Sequence, residues 1–415
     1  MGTSRVTHLV EKLSAGSPET RKEALTQLKA LSDQGLTFEE GSEALAAAAY
    51  SWPPDDPSDP SRDLAIAALS QPRDAYLEQI VEDFPRFSAN ARWHIVRMIA
   101  ARGDELAAHT YLRIVDRYAT GGTVPPAPLK GFEKSAACAN LLLPRLMEHA
   151  TADPFGYQIH LLALQAAKTG GVLRQVLAPF AGPVVEIYRP MRSRMSNHEA
   201  RADAEWIWDK DYHSDRAHAT LLLDLMGFLP GEAIIEALED SLSSRDPRVL
   251  HFAVLSLLRL GQDIPASVIE SVAASPEMHN RFHEGLVSLN RGGLFPRRLL
   301  TQEAFAESDM VGWLTYPTEL GRTPNEIELM ATFENQGGDQ QFFLFRFRTH
   351  SPHWAAKKGW MAGLSGPFET AVMPTSRAGG STFSTFTKWE EKTPQEHFIA
   401  ISGLIAEHWK RRAAE

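Results

Sequence analysis

Up to about residue 295 the apolar residues recur three and four apart, the period of an amphipathic helix, and the breaks carry capping residues. This predicts helix after helix and no strand over that stretch. Ser17-Pro18, Asp246-Pro247 and Ser275-Pro276 each place a side-chain acceptor before a proline at the first helical position, where the missing N–H does no harm. Counted from these caps, offsets 7, 11 and 14 read Ala24, Leu28 and Leu31, then Ala253, Leu257 and Leu260, then Phe282, Leu286 and Leu289. Ser214 gives Leu221, Leu225 and Phe228 in the same register without the proline. Such offsets share one helical face, so each unit offers an apolar stripe to its neighbours. The caps at 214, 246 and 275 lie 32 and 29 residues apart, enough for one helical hairpin per unit.

After Arg297 the period changes. Leu299 to Leu314 predicts one more helix. "EIELMATFE" then alternates, with Ile327, Leu329, Ala331 and Phe333 on one face, and "NQGGDQ" supplies a turn. "FFLFRFRT" completes the hairpin, with Phe343, Phe345 and Phe347 opposite Arg346 and Arg348. Short strands are expected at Gly359 to Leu364, Phe368 to Met373 and Thr382 to Trp389. Thr393-Pro394-Gln395-Glu396 reads as a capping box opening a last helix, whose stripe Phe398, Ile401, Ile405 and Trp409 should pack on the sheet. Two proline-rich breaks, Ser51 to Ser61 and Thr120 to Gly131, read as connectors.

"RDPRVLHFAVLSLLRLG" followed by "IPASVIESVAAS", Arg245 to Ser275, resembles a HEAT repeat in its Asp-Pro start, its alanine at the helix contact and its closing Leu-Gly. The resemblance extends over 214 to 291 and, more loosely, over 1 to 35 and 88 to 119. It implies a stack of helical hairpins with a long exposed surface. "YPTELGRTPNEIEL", "FLFRFRTHSPHWAAKKGWMAGLSGPF" and "KTPQEHF" are similar to a module attached to HEAT-like arrays in bacterial proteins, a likeness that implies no catalytic residue. The expected fold is mainly α: a HEAT-like α-solenoid over 1–295, then a small α+β domain over 296–415 made of an antiparallel sheet and a terminal helix.

With 43% hydrophobic and 23% charged residues, the chain has the composition of a globular protein and not of a disordered or collagenous one. Its one cysteine, Cys138, cannot form an internal disulfide, and no stretch has the apolar length of a membrane span or secretory signal, so a cytoplasmic setting without membrane contact is expected. Residues 296–415 hold 13 basic and 14 acidic groups, so nearly all of the net charge of −10 belongs to the residues before them. An acidic body disfavours nucleic acid and mildly favours a basic partner.

Candidate chemistry is sparse. His350 and His353 have an H-x-x-H spacing without a third ligand nearby. His198-Glu199 and His283-Glu284 invite comparison with deoxyhypusine hydroxylase, a HEAT-repeat enzyme that holds iron on such pairs, but the chain has fewer pairs than that family requires. "GLSGPF" fails the nucleophile elbow at Pro367, which leaves Ser365 as a turn residue, and Cys138 sits on an apolar helix face as a buried thiol. Neither a metal nor a cofactor is therefore expected.

The most unusual segment is Glu186 to Arg216. It sets Tyr188, Arg189, Arg192, Arg194 and Arg201 before Trp206, Trp208 and Tyr212, which alternate with Asp209, Asp211 and Asp215. Arginine and tryptophan dominate binding hot spots, so this segment is the candidate partner-binding face. The plainer reading makes the tryptophans core residues. Arg346, Arg348, Lys357 and Lys358 form a second basic spot, read as the wet face of the sheet. The expected function is non-enzymatic protein binding, in its narrowest form an immunity or antitoxin-type protein that occludes a basic toxin. The alternatives are a nucleic-acid-binding solenoid and an enzyme with its site at the junction of the two parts.

Overall fold

The computed structural model describes residues 4–15, 17–50, 52, 59–119, 122–151, 155–335, 337–350, 359–370 and 381–414. The chain is mainly α, with a C-terminal four-stranded antiparallel sheet and a terminal helix. Its contacts divide it into two units, residues 1–188 with 228–234 and residues 189–227 with 235–415.

The first unit holds α1 (Arg5–Ala15), α2 (Pro18–Gln34), α3 (Phe38–Ala48), α4 (Pro60–Leu69), α5 (Asp74–Asp83), α6 (Ala89–Arg102), α7 (Glu105–Tyr118), α8 (Ala136–Leu146), α9 (Phe155–Lys168), α10 (Arg174–Leu177) and the start of α11 (Ala181–Glu199). From α1 to α7 a helix packs on the next in sequence or on the second one along: α1 on α2 and α3, α2 on α4, α3 on α4 and α5, α4 on α6, α5 on α7, α6 on α7. This is the contact pattern of stacked helical pairs. Ser17 caps α2 as expected, and Thr37 with Glu40 forms a full capping box on α3. The connector Ser51 to Ser61 lies mostly outside the described residues, but its end is helical: Asp59 caps α4, and Pro60 and Ser61 open it. Of the second connector, residues 120 and 121 lie outside the described residues. Val124, Ala127 and Leu129 are buried, so this stretch contributes to the core and is not merely a tether. Cys138 is buried in α8.

The second unit holds the rest of α11, α12 (Lys210–Met226), most of α13 (Glu232–Ser241), α14 (Pro247–Arg259), α15 (Ala266–Ala273), α16 (His279–Ser288), α17 (Gln302–Leu314) and α18 (Pro394–Ala414), with β1 (Glu326–Glu334), β2 (Gln340–Arg348), β3 (Met361–Glu369) and β4 (Ser381–Lys388). Asp246 caps α14 as the Asp-Pro start requires. Two expected caps are corrected. Ser214 lies inside α12, because nothing in Lys210–His213 breaks a helix and α12 begins a turn earlier, after extended Asp209. The Ser275 carbonyl instead accepts from Met278 and His279 N–H in a tight turn, and α16 starts at His279.

The sheet runs in the order β1-β2-β3-β4 and is covered on both faces. Phe305, Met310 and Leu314 of α17 pack against Phe343, Phe345, Phe347 and Phe368 on one side. Ile401 and Ile405 of α18 pack against Leu344, Ala362 and Leu364 on the other. Fully burying one such phenylalanine contributes roughly 1.5–3 kcal/mol, which makes the Phe-rich strand the anchor of this layer. A Cβ at Gly363 would come 2.6 Å from the end of the Met310 side chain, which would have to move aside.

Readings of the sheet and of α18 change in detail. A bulge between Leu329 and Ala331 switches faces, so Ile327 packs toward α17 while Ala331 and Phe333 pack toward α18. The two short strands expected around Ser365 are one strand, β3, and Ser365 is a buried strand residue sharing a hydrogen bond with Thr382, not a turn. Arg346 and Arg348 lie over the Trp360 ring, at 4.4 and 4.6 Å, and pair with Glu328 and Glu326; Lys357 and Lys358 lie outside the described residues. The Thr393–Glu396 capping box forms on α18, but Trp409 is 42% exposed because the stripe rotates off the sheet after Ile405.

Candidate functional site

The segment singled out in the sequence divides into a buried layer and an exposed rim. Tyr188 is buried in the first unit. In the second unit Arg192, Trp206 and Tyr212 are buried. Arg192 donates to Glu199 at 3.0 Å, and Glu199 also accepts from Ser244 Oγ at 2.9 Å and from the Arg245 N–H at 3.0 Å. The Tyr212 hydroxyl donates to Asp246 at 2.8 Å, and Arg216 grips the same carboxylate through Nη2 at 2.9 Å and Nε at 2.6 Å. Glu277 bridges Arg216 at 3.2 Å and Arg248 at 2.6 Å. The Trp206 ring closes over this layer, edge-on to Tyr212 with centroids 4.9 Å apart, under the Arg245 guanidinium at 5.7 Å.

The electrostatics follow from that burial. Desolvation pushes the Tyr212 phenol far up, and the charges of Asp246 and Glu199 add to it. Burial works against the Arg216 charge, but Asp246 and Glu277 more than offset it, so the guanidinium is held above its ordinary value. Arg248 is lowered by burial and by the Arg216 charge, and His213 is lowered by burial and by both arginines. These groups pair with one another across α11, α12, the 243–246 turn and α14. Removing one member strands its partner in a low-dielectric interior.

The exposed members ring a shallow cavity of about 600 Å³ lined by Arg194, Asn197, His198, Arg201, Asp211, Ser214 and Asp215. Each arginine there already has a carboxylate. Arg194 forks onto Asp215 at 2.7 and 2.8 Å, Arg201 binds Asp203 at 3.0 Å and also Asp209, and His198 lies 3.3 Å from Asp209. Outside the cavity, Arg189 lies 3.5 Å from Glu236. Trp208 is half-buried under Arg322 at 4.6 Å, and Arg322 pairs with Glu205 at 3.1 Å.

A second, larger concavity of about 770 Å³ was not visible from sequence. One wall is aromatic. Tyr316, Trp313, Phe383 and His408 follow one another with ring centroids 6.0, 5.2 and 5.4 Å apart, brought together from α17 and its following turn, β4 and α18. Trp313 Nε1 donates to Ser384 Oγ at 3.1 Å, which fixes the indole, and Ser384 in turn donates to Glu319. The rest of the lining is mostly polar, with Arg248, Glu277, Asn280, Arg281, Glu284 and Asp309 from α14, α16 and its preceding turn, and α17. The buried ionic layer reaches this groove through Arg248 and Glu277. Its residues are scattered from 248 to 408, so no spacing announces them; the only local signal was the pair Trp313 and Tyr316 in "GWLTYP".

The other candidates do not assemble. His350 is exposed and 3.4 Å from Glu326, while His353 lies outside the described residues. His283 packs edge-on between Phe295 and Phe305, and Glu199 serves the buried layer. Among the described residues no group of three or more His, Cys, Asp or Glu side chains is arranged to hold a metal ion, and no helix is long and apolar enough to cross a membrane. No family model matches the chain, and no curated protein or solved structure resembles it significantly.

Proposed function

We propose that the protein is a non-enzymatic binding module that engages a basic protein partner through the groove lined by polar residues of α14, α16 and α17 and by the aromatic row of α17, β4 and α18. The carrying observation is the aromatic row, open at Tyr316, which is 60% exposed, in a groove whose lining also holds carboxylates. Aromatic side chains beside arginines are the residue types that concentrate binding energy when a partner covers them. The acidic excess of the chain favours a basic partner. A basic toxin neutralised by occlusion is the narrowest form of this reading. The stacked helical pairs of the first unit are compatible with a HEAT relationship, which we propose on the repeat pattern and the Asp-Pro start. Nucleic acid is disfavoured, because Arg189, Arg194 and Arg201 would each have to leave a carboxylate to take a phosphate.

The test is affinity capture from source cells with full-length wild type beside Tyr316→Ala, with bound protein and nucleic acid both identified. The reading predicts one basic protein, retained by wild type and depleted about tenfold or more by the variant, since one hot-spot truncation removes that much affinity. Equal retention by both proteins, or recovery of nucleic acid alone, would overturn it.

A further inference from the structure

We infer that the outer edge of β1 is a second interaction surface, which takes an extended segment of another polypeptide, bearing lysine or arginine, as a fifth strand of the sheet. It does not rest on the groove reading, because the groove is built on β4, at the opposite edge.

The two edges differ in cover. On β4, Phe383 lies between Trp313 of α17 and His408 of α18, with ring centroids 5.2 and 5.4 Å away. On β1, Glu328 and Leu329 are adjacent, hence on opposite faces, and both are exposed. The ladder phase shows what that edge offers. Asn335 N–H donates to the Gln340 carbonyl, so by alternation Ala331 and Phe333 turn their backbone groups to β2, while Thr332 and Glu334 turn theirs away. Among the described residues no backbone group bonds those outward ones. Such a row of unpaired donors and acceptors is a template for strand addition.

Charge selects the occupant. Arg346 and Arg348 of β2 lie over the Trp360 ring, and Glu328 and Glu326 of β1 stand opposite those arginines. Both Arg346 bonds, at 2.8 and 2.5 Å, fall on Glu328 Oε2, which leaves Oε1 for another donor. The next column outward lies beside glutamates, where a basic side chain pairs and an acidic one is repelled. A second copy of β1 does not meet that demand, since the strand holds three glutamates and neither lysine nor arginine.

The probe is a short, end-blocked, fluorescent peptide of alternating lysine and valine, titrated into the full-length protein by anisotropy. Two controls accompany it, the glutamate–valine analogue and the lysine–valine peptide N-methylated on alternate backbone amides, which keeps the charge and loses the ladder bonds. The parent peptide should bind at least about tenfold tighter than either control. Thr332→Pro, at an outward N–H of an edge strand, should leave the fold in place and weaken binding about tenfold, and Glu328→Gln should weaken it about threefold. Equal binding of the parent and N-methylated peptides to wild type, a comparison that needs no variant, would overturn the inference by reducing it to charge attraction. Equal binding of the glutamate analogue, or an unchanged affinity in either variant, would also overturn it. So would a wild-type dimer in sedimentation that Thr332→Pro splits, because the edge would then belong to a second copy.

Discussion

Two regions of the second unit use the same residue types to opposite ends. Around α12 and α14, arginine, tyrosine, tryptophan and carboxylates face inward and pack on one another, and Arg216, Tyr212 and Asp246 form a buried ionic layer. At α17, β4 and α18 the same kinds of side chain line a groove, with the rings in contact and Tyr316 60% exposed. Side-chain identity therefore does not separate structure from recognition. What separates them is exposure: one set lies in the interior, the other lines an open groove.

The contrast breaks if mutations in the two regions behave alike. The largest effect is expected from Asp246→Ala, which strands Arg216 and Tyr212 in the interior; urea unfolding should show a loss of about 3–5 kcal/mol, the usual result of breaking a buried ion pair. Trp206→Ala, at a residue 4% exposed, should lose about 3 kcal/mol or more by opening a cavity, which makes it a stability probe and unsuitable for testing partner contact.

Acid should weaken the α16–α17 packing next. His279 is lowered by burial and by His283, and His283 is lowered by burial; both pack edge-on against Phe295 and Phe305. A histidine whose folded value is depressed binds its proton first in the unfolded chain. This contribution is present above the ordinary histidine value of about 6.5 and is lost as pH falls below it. Urea midpoints at pH about 7.5 and about 5 should fall with acid, and the fall should shrink in His279→Leu, which removes one of the two sites.

Smaller still, Arg194→Ala should cost less than about 1 kcal/mol, because its pair with Asp215 is largely solvated. Tyr316→Ala should shift stability by less than about 0.5 kcal/mol while removing partner binding, the signature of a recognition residue rather than a structural one.

How much of this was legible depends on range. The helices, the Asp246 cap on α14 and the Thr393–Glu396 box follow from local spacing, and so does the Phe343–Phe345–Phe347 face. The Ser214 cap was misread because helix-compatible residues before it let α12 start earlier, and the face of β1 was misread because a one-residue bulge leaves no mark in an alternating pattern. The burial of Arg192, Trp206 and Tyr212 rests on partners some tens of residues away, at Ser244, Arg245 and Asp246. The groove is the extreme case, assembled from four or more elements with no spacing to betray it.

The most direct measurement is photo-crosslinking in source cells from two positions of the full-length protein, 316 at the groove and 194 on the rim of the buried layer. The account predicts a covalent adduct with a single basic protein from position 316 and none from 194. An adduct from 194 with nothing from 316 would contradict it.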